Sequence, residues 1–275
     1  MQGLQNLSSE EKAELRNLLE LREAQLSAKD PVVFANHFLN FRPDPWQASF
    51  LRSKSQRIVL NCSRQSGKST TTAILALWEA IYKPKSVIVI DSPSLRQSQE
   101  LMMKFEDFLS MLRDVKTLET DTKLTKLFPN GSRVLALPGS EKTIRGISAV
   151  SLFIEDEASR VNDLLYRSIR PMLAVSNGRL VLMSTPWGTN GHYHMVWKDS
   201  QTPGSVWQPF EITADQCPRI TKEFLEEERK QNSVFFDQEY YCKFLDDENS
   251  LFKQETIDAA IDPNIRPLCF NEDIF

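Results

Sequence analysis

The sequence predicts a three-layer α/β domain with a mostly parallel sheet, an added β-hairpin and helical appendages at both ends. Three observations carry this. Four short runs, Arg57–Ser63 (RIVLNCS), Ser86–Ser92 (SVIVIDS), Val150–Ile154 (VSLFI) and Arg179–Ser184 (RLVLMS), are almost continuously apolar and rich in Val, Ile and Leu. Such runs fit strands buried on both faces, as in a parallel sheet. Helix-length segments at Lys68–Tyr82, Leu95–Leu112 and 163–174 lie among them, and strand alternating with helix builds a doubly wound sheet. Finally, Pro129-Asn130-Gly131 separates Leu124–Phe128 from Ser132–Leu137. A turn between two such stretches predicts a hairpin that adds antiparallel strands to one edge.

The flanks read as helical. Ser8 with Glu11 fits a capping box, and Leu15, Leu18, Leu19 and Leu26 recur near helical period over 8–27. A second short helix over Pro31–Phe41 is expected to stop at the Pro43/Pro45 pair. From Thr221 the helical pattern returns with an acidic face at Glu223 and Glu226–Glu228. Phe235, Phe236, Tyr240, Tyr241 and Phe244 follow and are expected to pack onto the sheet domain. The resulting organisation is an N-terminal helical segment (1–42), a core (43–212), a helical subdomain or lid (213–245) and a linker (246–275).

At 275 residues, 41% hydrophobic and 25% charged, the composition is globular and excludes disordered and fibrous classes. No apolar run approaches membrane-spanning length, and residues 1–30 lack the apolar stretch of an export signal. The four cysteines form no C-x-x-C pair, which predicts free thiols in a reducing compartment. The net charge of −4 gives no general nucleic-acid-binding surface. Charge is uneven, however: residues 113–145 hold seven Lys/Arg against four Asp/Glu, and residues 211–249 five against eleven. A locally basic edge on an acidic body is one expectation; solvated loop charge is the other.

The sharpest motif is Cys62-Ser63-Arg64-Gln65-Ser66-Gly67-Lys68-Ser69-Thr70, after a predicted strand and opening a predicted helix. It matches the phosphate-binding template G-x-x-x-x-G-K-[ST] except that Cys62 stands at the first glycine. Backbone N–H groups of such a loop, reinforced by the helix N-terminus, point at phosphate oxygens. Lys68 would bridge the β- and γ-phosphates, and Ser69 would offer its hydroxyl to Mg²⁺. Leu152-Phe153-Ile154-Glu155-Asp156-Glu157-Ala158 supplies carboxylates at a strand's carboxyl end, where α/β sheets bind ligands. Asp156 would hold the metal through water and Glu157 would polarise the attacking water. Glu155 competes, because alternation puts 155 and 157 on one side.

Met183-Ser184-Thr185-Pro186-Trp187-Gly188 ends the next strand, where small hydroxyls can sense a γ-phosphate. Upstream, the Gln47 amide in Pro43-Asp44-Pro45-Trp46-Gln47 could pair with an adenine edge or serve structure alone. Arg64, inside the loop, and Arg145, in Lys142-Thr143-Ile144-Arg145-Gly146, are both arginine-finger candidates.

These four motifs (CSRQSGKST, PDPWQ, LFIEDEA and MSTPWG), with PDPWQ upstream of the others, resemble the ATPase domain of bacteriophage terminase large subunits over about residues 40–245. The family often carries S-R-Q-x-G-K-[ST] in place of the full glycine-rich loop. The resemblance implies a RecA-like, ASCE-type P-loop NTPase using ATP and Mg²⁺. Gln47 then takes the adenine-recognition position, Ser63–Thr70 the phosphate loop, Asp156 and Glu157 the acidic strand, and Ser184, Thr185 and Pro186 the coupling motif. It ranks Arg145 as a finger reaching a neighbouring subunit, with Arg64 as the in-chain rival. It also implies translocation of double-stranded DNA into a procapsid in the host cytoplasm, with the portal protein, the small terminase subunit and a homo-oligomeric ring as partners. A nuclease domain would lie beyond the linker in the parent protein. Lys123, Lys126 and Arg133 on the hairpin are the candidates for DNA contact. The competing functions are a two-lobed helicase fragment and a nucleotide-gated DNA- or protein-binding module.

Overall fold

The computed structural model describes residues 9–112, 118–138 and 146–245, with residues 256 and 260. Its strands are β1 (Arg57–Cys62), β2 (Val87–Ser92), β3 (Thr120–Asp121), β4 (Thr125–Leu127), β5 (Arg133–Pro138), β6 (Leu152–Asp156), β7 (Arg179–Ser184) and β8 (Gln208–Ile212). They form one sheet in the order β3-β4-β5-β2-β6-β7-β1-β8. All pairings are parallel except β3–β4 and β4–β5. The expected hairpin is β4–β5, of which β5 joins the parallel set through β2 and β4 is antiparallel, and β3 adds a further antiparallel strand outside that expectation.

The α-helices among the described residues are α1 (Ser9–Lys29), α2 (Pro31–Phe38), α3 (Pro45–Arg52), α4 (Lys68–Tyr82), α5 (Leu95–Ser110), α6 (Asp163–Ala174), α7 (Gly191–Ser200), α8 (Lys222–Gln231) and α9 (Phe236–Tyr241). Side chains of α2–α5 pack on one face of the sheet against Ile58, Leu60, Ile88, Ile90, Ile154 and Val181. Those of α6 and α7 pack on the other, against Val59, Val89, Phe153, Leu180 and Leu182. Alternate residues of each central strand thus enter different cores, which is why these strands read as continuous apolar runs.

Other elements also depart from the sequence expectation. Pro45 does not end a helix but begins α3, where its missing N–H would be unpaired anyway. Asp44 and Gln47 close a capping box around that start. The strand expected at Val150–Ile154 runs over Leu152–Asp156, so two carboxylates lie within it. Helix α7 and strand β8 were not anticipated. β8 lies at the sheet edge, pairs only with β1 and alternates in exposure, so it lacks the apolar signature of the central strands. Its Pro209 is tolerated because an edge strand can lack a donor.

The aromatics near the C-terminus divide. Phe236 joins Ala214 and Leu225 in a small separate core, with Tyr240 and Tyr241 against it. Phe244 packs against Tyr193 and His194 of α7. Only part of the group therefore reaches the sheet domain. Ser8, the first residue of the expected capping box, lies outside the described residues, as does most of the linker expected from residue 246.

One buried acid at the carboxyl end of the sheet has consequences for stability. Asp91 is fully buried, and neither carboxylate oxygen has a hydrogen-bond partner. Burial first, and then Glu155 in register beside it on β6, pushes its carboxyl up to about 8 from an ordinary 3.8. The folded state therefore holds a proton that the unfolded state releases. Stability from this group is fully present below pH 3.8 and is lost as pH rises toward 8. Asp91→Asn is expected to flatten that slope and to exceed the wild type by on the order of a few kcal/mol at pH 8, the difference fading toward pH 4. Chemical denaturation at several pH values reads this; parallel curves for the two proteins would contradict it.

Candidate active site

Strand β7 lies between β1 and β6. The loop after β1 and the carboxylates ending β6 therefore face each other across a crevice at the carboxyl edge of the sheet. Cys62 ends β1 and is fully buried. Burial pushes its thiol up to about 12, so it is an inert packing residue at this position.

Beyond it the loop is held from outside. The Ser63 amide donates to the Ile212 carbonyl at 2.8 Å and the Arg64 amide to the Glu239 carbonyl at 2.9 Å. Gln65 and Gly67 have φ of +55° and +94°, which curls the chain into the start of α4. A Cβ on Gly67 would lie 2.8 Å from the Gln47 amide nitrogen. Glycine is thus required both by backbone conformation and by the closeness of α3.

Lys68 and Ser69 open α4 and project across the crevice. The Lys68 ammonium lies 2.9 Å from Glu157 Oε1. The Ser69 hydroxyl donates to Asp156 Oδ2 at 3.3 Å. Burial disfavours the Lys68 charge, but Glu157 and Asp156 outweigh it and hold the ammonium pKa above its ordinary value. Burial pushes the Asp156 carboxyl up to about 6, with Lys68 opposing.

Glu157 sits at φ +53°, and its amide donates to Asp156 Oδ1 at 3.0 Å. The turn aims the carboxylate at the loop. Ser184 Oγ reaches Glu157 Oε2 at 3.4 Å and Ser159 Oγ at 2.7 Å, and Ser159 donates to the Thr185 carbonyl at 2.9 Å. A hydroxyl chain thus ties the expected coupling segment to Glu157. Thr185 and Pro186 are buried behind it, and Thr70 follows Ser69 in the first turn of α4.

Glu155 points away. Its carboxylate is fully buried and pairs with His192 Nε2 at 2.7 Å, in the layer of α6 and α7. The structure brings Asp156 and Glu157, not Glu155, to the loop. Gln47 is buried with its Oε1 accepting the Asp44 amide at 2.9 Å. Arg64 is exposed, and its guanidinium pairs with Glu239.

Lys126 leaves the set of DNA contacts. Its side chain is 3% exposed and its ammonium is held between Glu106 and Asp121. Lys123 and Arg133 are exposed on the same hairpin. Arg145 lies outside the described residues.

Three participants had no local signal. Arg219 pairs with both Asp44 oxygens, at 2.7 and 3.3 Å, and donates to the Ser66 carbonyl at 3.3 Å. It bridges the start of α3 to the loop after β1 from far along the chain. Glu239 and His192 are likewise brought in by tertiary folding. Only Asp44 was readable, as the first residue of an Asp-x-x-Gln capping pattern.

A curled, backbone-lined loop opening a helix, with a lysine and a hydroxyl facing two strand-end carboxylates, defines the RecA-like P-loop NTPase class. Among known proteins, the family model for the terminase large subunit, T4likevirus-type, N-terminal, matches residues 59–259. The chain belongs to that terminase family. It is 26% identical over 247 residues to the terminase large subunit of Thermus phage G20c, covering 78% of this chain and 51% of that protein. It spans about half the length of the curated relatives it matches.

Among solved structures, the large terminase ATPase domain of Thermus phage P74-26 aligns with TM-score 0.64 and 22% identity, over 76% of this chain and 96% of that one. The large terminase of another thermophilic bacteriophage, solved in complex with ADP, aligns with TM-score 0.62 and 12% identity, over 74% of this chain and 54% of that one. These likenesses establish the fold.

Gly67→Ala tests the loop geometry. A left-handed φ costs a residue with a Cβ on the order of 1–2 kcal/mol, and the Gln47 amide must also move. Reduced stability is expected in denaturant unfolding, together with weaker nucleotide binding in a fluorescence titration. Wild-type values in both would contradict the required close approach.

Proposed function

We propose that this chain binds ATP with Mg²⁺ between residues 62–69 and the end of β6, hydrolyses it, and serves as the motor part of a longer terminase large subunit that drives double-stranded DNA into a procapsid. The observation that carries the enzymatic part is the facing of Lys68 and Ser69 against Glu157 and Asp156, at 2.9 and 3.3 Å. The donor set fits the ligands: a hydroxyl opposite a carboxylate is an oxygen site of the kind Mg²⁺ takes. The cradle at Gly67 is one that a Cβ would fill. Bound there, the metal would neutralise charge on the transferring phosphoryl group.

The residues of this chain divide the remaining work. Backbone amides from Gln65 to Ser69 bind the phosphate tail, those of Ser63 and Arg64 being bonded to Ile212 and Glu239, and the positive end of α4 reinforces them. Lys68 exchanges Glu157 for phosphate oxygens, which frees that carboxylate to accept a proton from the attacking water. Ser184, through its hydroxyl contact with Glu157, carries the loaded state toward Thr185 and Pro186. An adenine-reading role for Gln47 requires its amide to give up the bond to Asp44. Arg64, if it turns toward phosphate, must leave Glu239. Arg145 is the candidate finger toward a neighbouring copy in a ring.

The exposed Lys123 and Arg133 are the remaining hairpin candidates for DNA contact, and the portal protein and small terminase subunit are the expected partners. Residues 213–245, which hold the loop through Arg219 and Glu239, suit a lid on the 43–212 core, with 1–42 as the N-terminal helical segment. The reading of 246–275 as a linker toward a nuclease domain rests on the family resemblance of the sequence. No described helix is long and apolar enough to cross a membrane.

Glu157→Gln is expected to bind ATP at least as tightly as the wild type, because Lys68 loses its competing carboxylate. Phosphate release should fall about 10²–10⁴-fold, the usual loss on removing a general base. Lys68→Ala is expected to lose ATP binding itself. Phosphate release by Glu157→Gln at the wild-type rate would remove Glu157 from the reaction. Absence of release from the wild type, with DNA and at high protein concentration, would overturn the ATPase assignment.

A further inference from the structure

A second cluster of ionisable side chains lies behind the crevice, in the layer of α6 and α7. His192, the second residue of α7, is 2% exposed. Its Nε2 lies 2.7 Å from Glu155 Oε2 and its Nδ1 3.0 Å from Asp163 Oδ1. The His192 amide donates to the same Asp163 oxygen at 2.8 Å. Tyr166 stacks on the imidazole at 4.5 Å between ring centroids. Only a doubly protonated ring can donate to both carboxylates. Glu155 and Asp163 outweigh burial and hold the His192 pKa above its ordinary value.

The cluster joins three elements of the site. Glu155 immediately precedes Asp156 and Glu157 in the chain. Asp163 is the first residue of α6. His192 lies in the first turn of the helix that follows Ser184–Pro186. The approach is close: a Cβ on Gly191 would lie 3.3 Å from Asp163 Oδ1. A buried ion pair is a poor way to gain stability, since well-packed apolar residues often do as well or better. What this arrangement supplies that an apolar contact would not is a fixed direction between its partners.

We propose that His192 is a positioning residue for hydrolysis: clamped between Glu155 and Asp163, it locks the end of the acidic strand to the start of the helix that follows Ser184–Pro186. Glu157 and the coupling segment then keep one mutual placement while Lys68 changes partners. The inference rests on the ATPase assignment above and adds to it a residue that touches neither nucleotide nor metal.

The test uses the 275-residue chain with the paired substitution Glu155→Leu/His192→Phe. This removes both buried charges together and keeps a ring against Tyr166. The expected result is thermal stability close to wild type. ATP affinity should stay within about twofold, and kcat should fall about tenfold or more, the signature of lost transition-state placement rather than lost binding. Undiminished kcat overturns the proposal. A loss of kcat that merely tracks a loss of stability also overturns it, because the cluster would then be structural.

If the paired variant fails to fold, Asp163→Ala decides. It cuts the outer bond at a side chain that is 45% exposed and can rehydrate. A fall in kcat at unchanged ATP affinity supports the clamp, and unchanged kcat overturns it. The wild type separates the two assignments. Wild-type turnover with undiminished variants sinks the clamp alone, whereas absent wild-type turnover sinks both.

Discussion

The structure of the site depends on one constraint: a nearly buried ammonium must have a negative partner. Lys68 is taken out of water by the loop and the sheet edge, so it needs Glu157, or a phosphate in Glu157's place, to stay charged at acceptable cost. That requirement accounts for why β6 delivers its carboxylates opposite the loop and why Glu157 accepts a left-handed backbone to do so. In the proposed function it would also supply a chemical switch, because one cation cannot serve Glu157 and a triphosphate equally. Strand β7 between β1 and β6 sets the width of the crevice that separates the loop from these carboxylates.

Around this pair the molecule is braced from both layers. On the side of α3, Arg219, Asp44 and Gln47 press on Ser66 and Gly67. The amides of Ser63 and Arg64 are tied to β8 and α9. On the opposite side, Ser159 and Ser184 hold Glu157, and His192 holds the strand from which it emerges. The loop is thus bounded by residues distant in sequence, and segments beyond residue 212 contact it directly.

The legible part of this protein was the part governed by local rules. Continuous apolar strands, a glycine-lysine-serine turn opening a helix, and carboxylates after an apolar run depend on neighbours in sequence. They located β1, β2, β6, β7, α4, the loop and the acidic pair. The Pro43/Pro45 pair misled because proline both ends helices and begins them, and only the Asp44–Gln47 cap distinguishes the two. β8 escaped because an edge strand needs no continuous apolar run. Lys126 looked available because its charge counts as basic, and only folding brings Glu106 and Asp121 to it. Arg219, Glu239 and His192 have meaning only once distant segments meet, and Glu155 parts from Glu157 because β6 ends at Asp156 and Glu157 turns into a left-handed backbone, which strand alternation does not anticipate.

The most direct measurement is a crystal structure of the chain with Mg²⁺ and a nonhydrolysable ATP analogue. The account requires the phosphate tail against the amides of residues 65–69, with the metal between Ser69 and Asp156. The Lys68 ammonium should have left Glu157 for phosphate oxygens. Nucleotide bound elsewhere, or bound in the crevice with Lys68 still paired to Glu157, would contradict it.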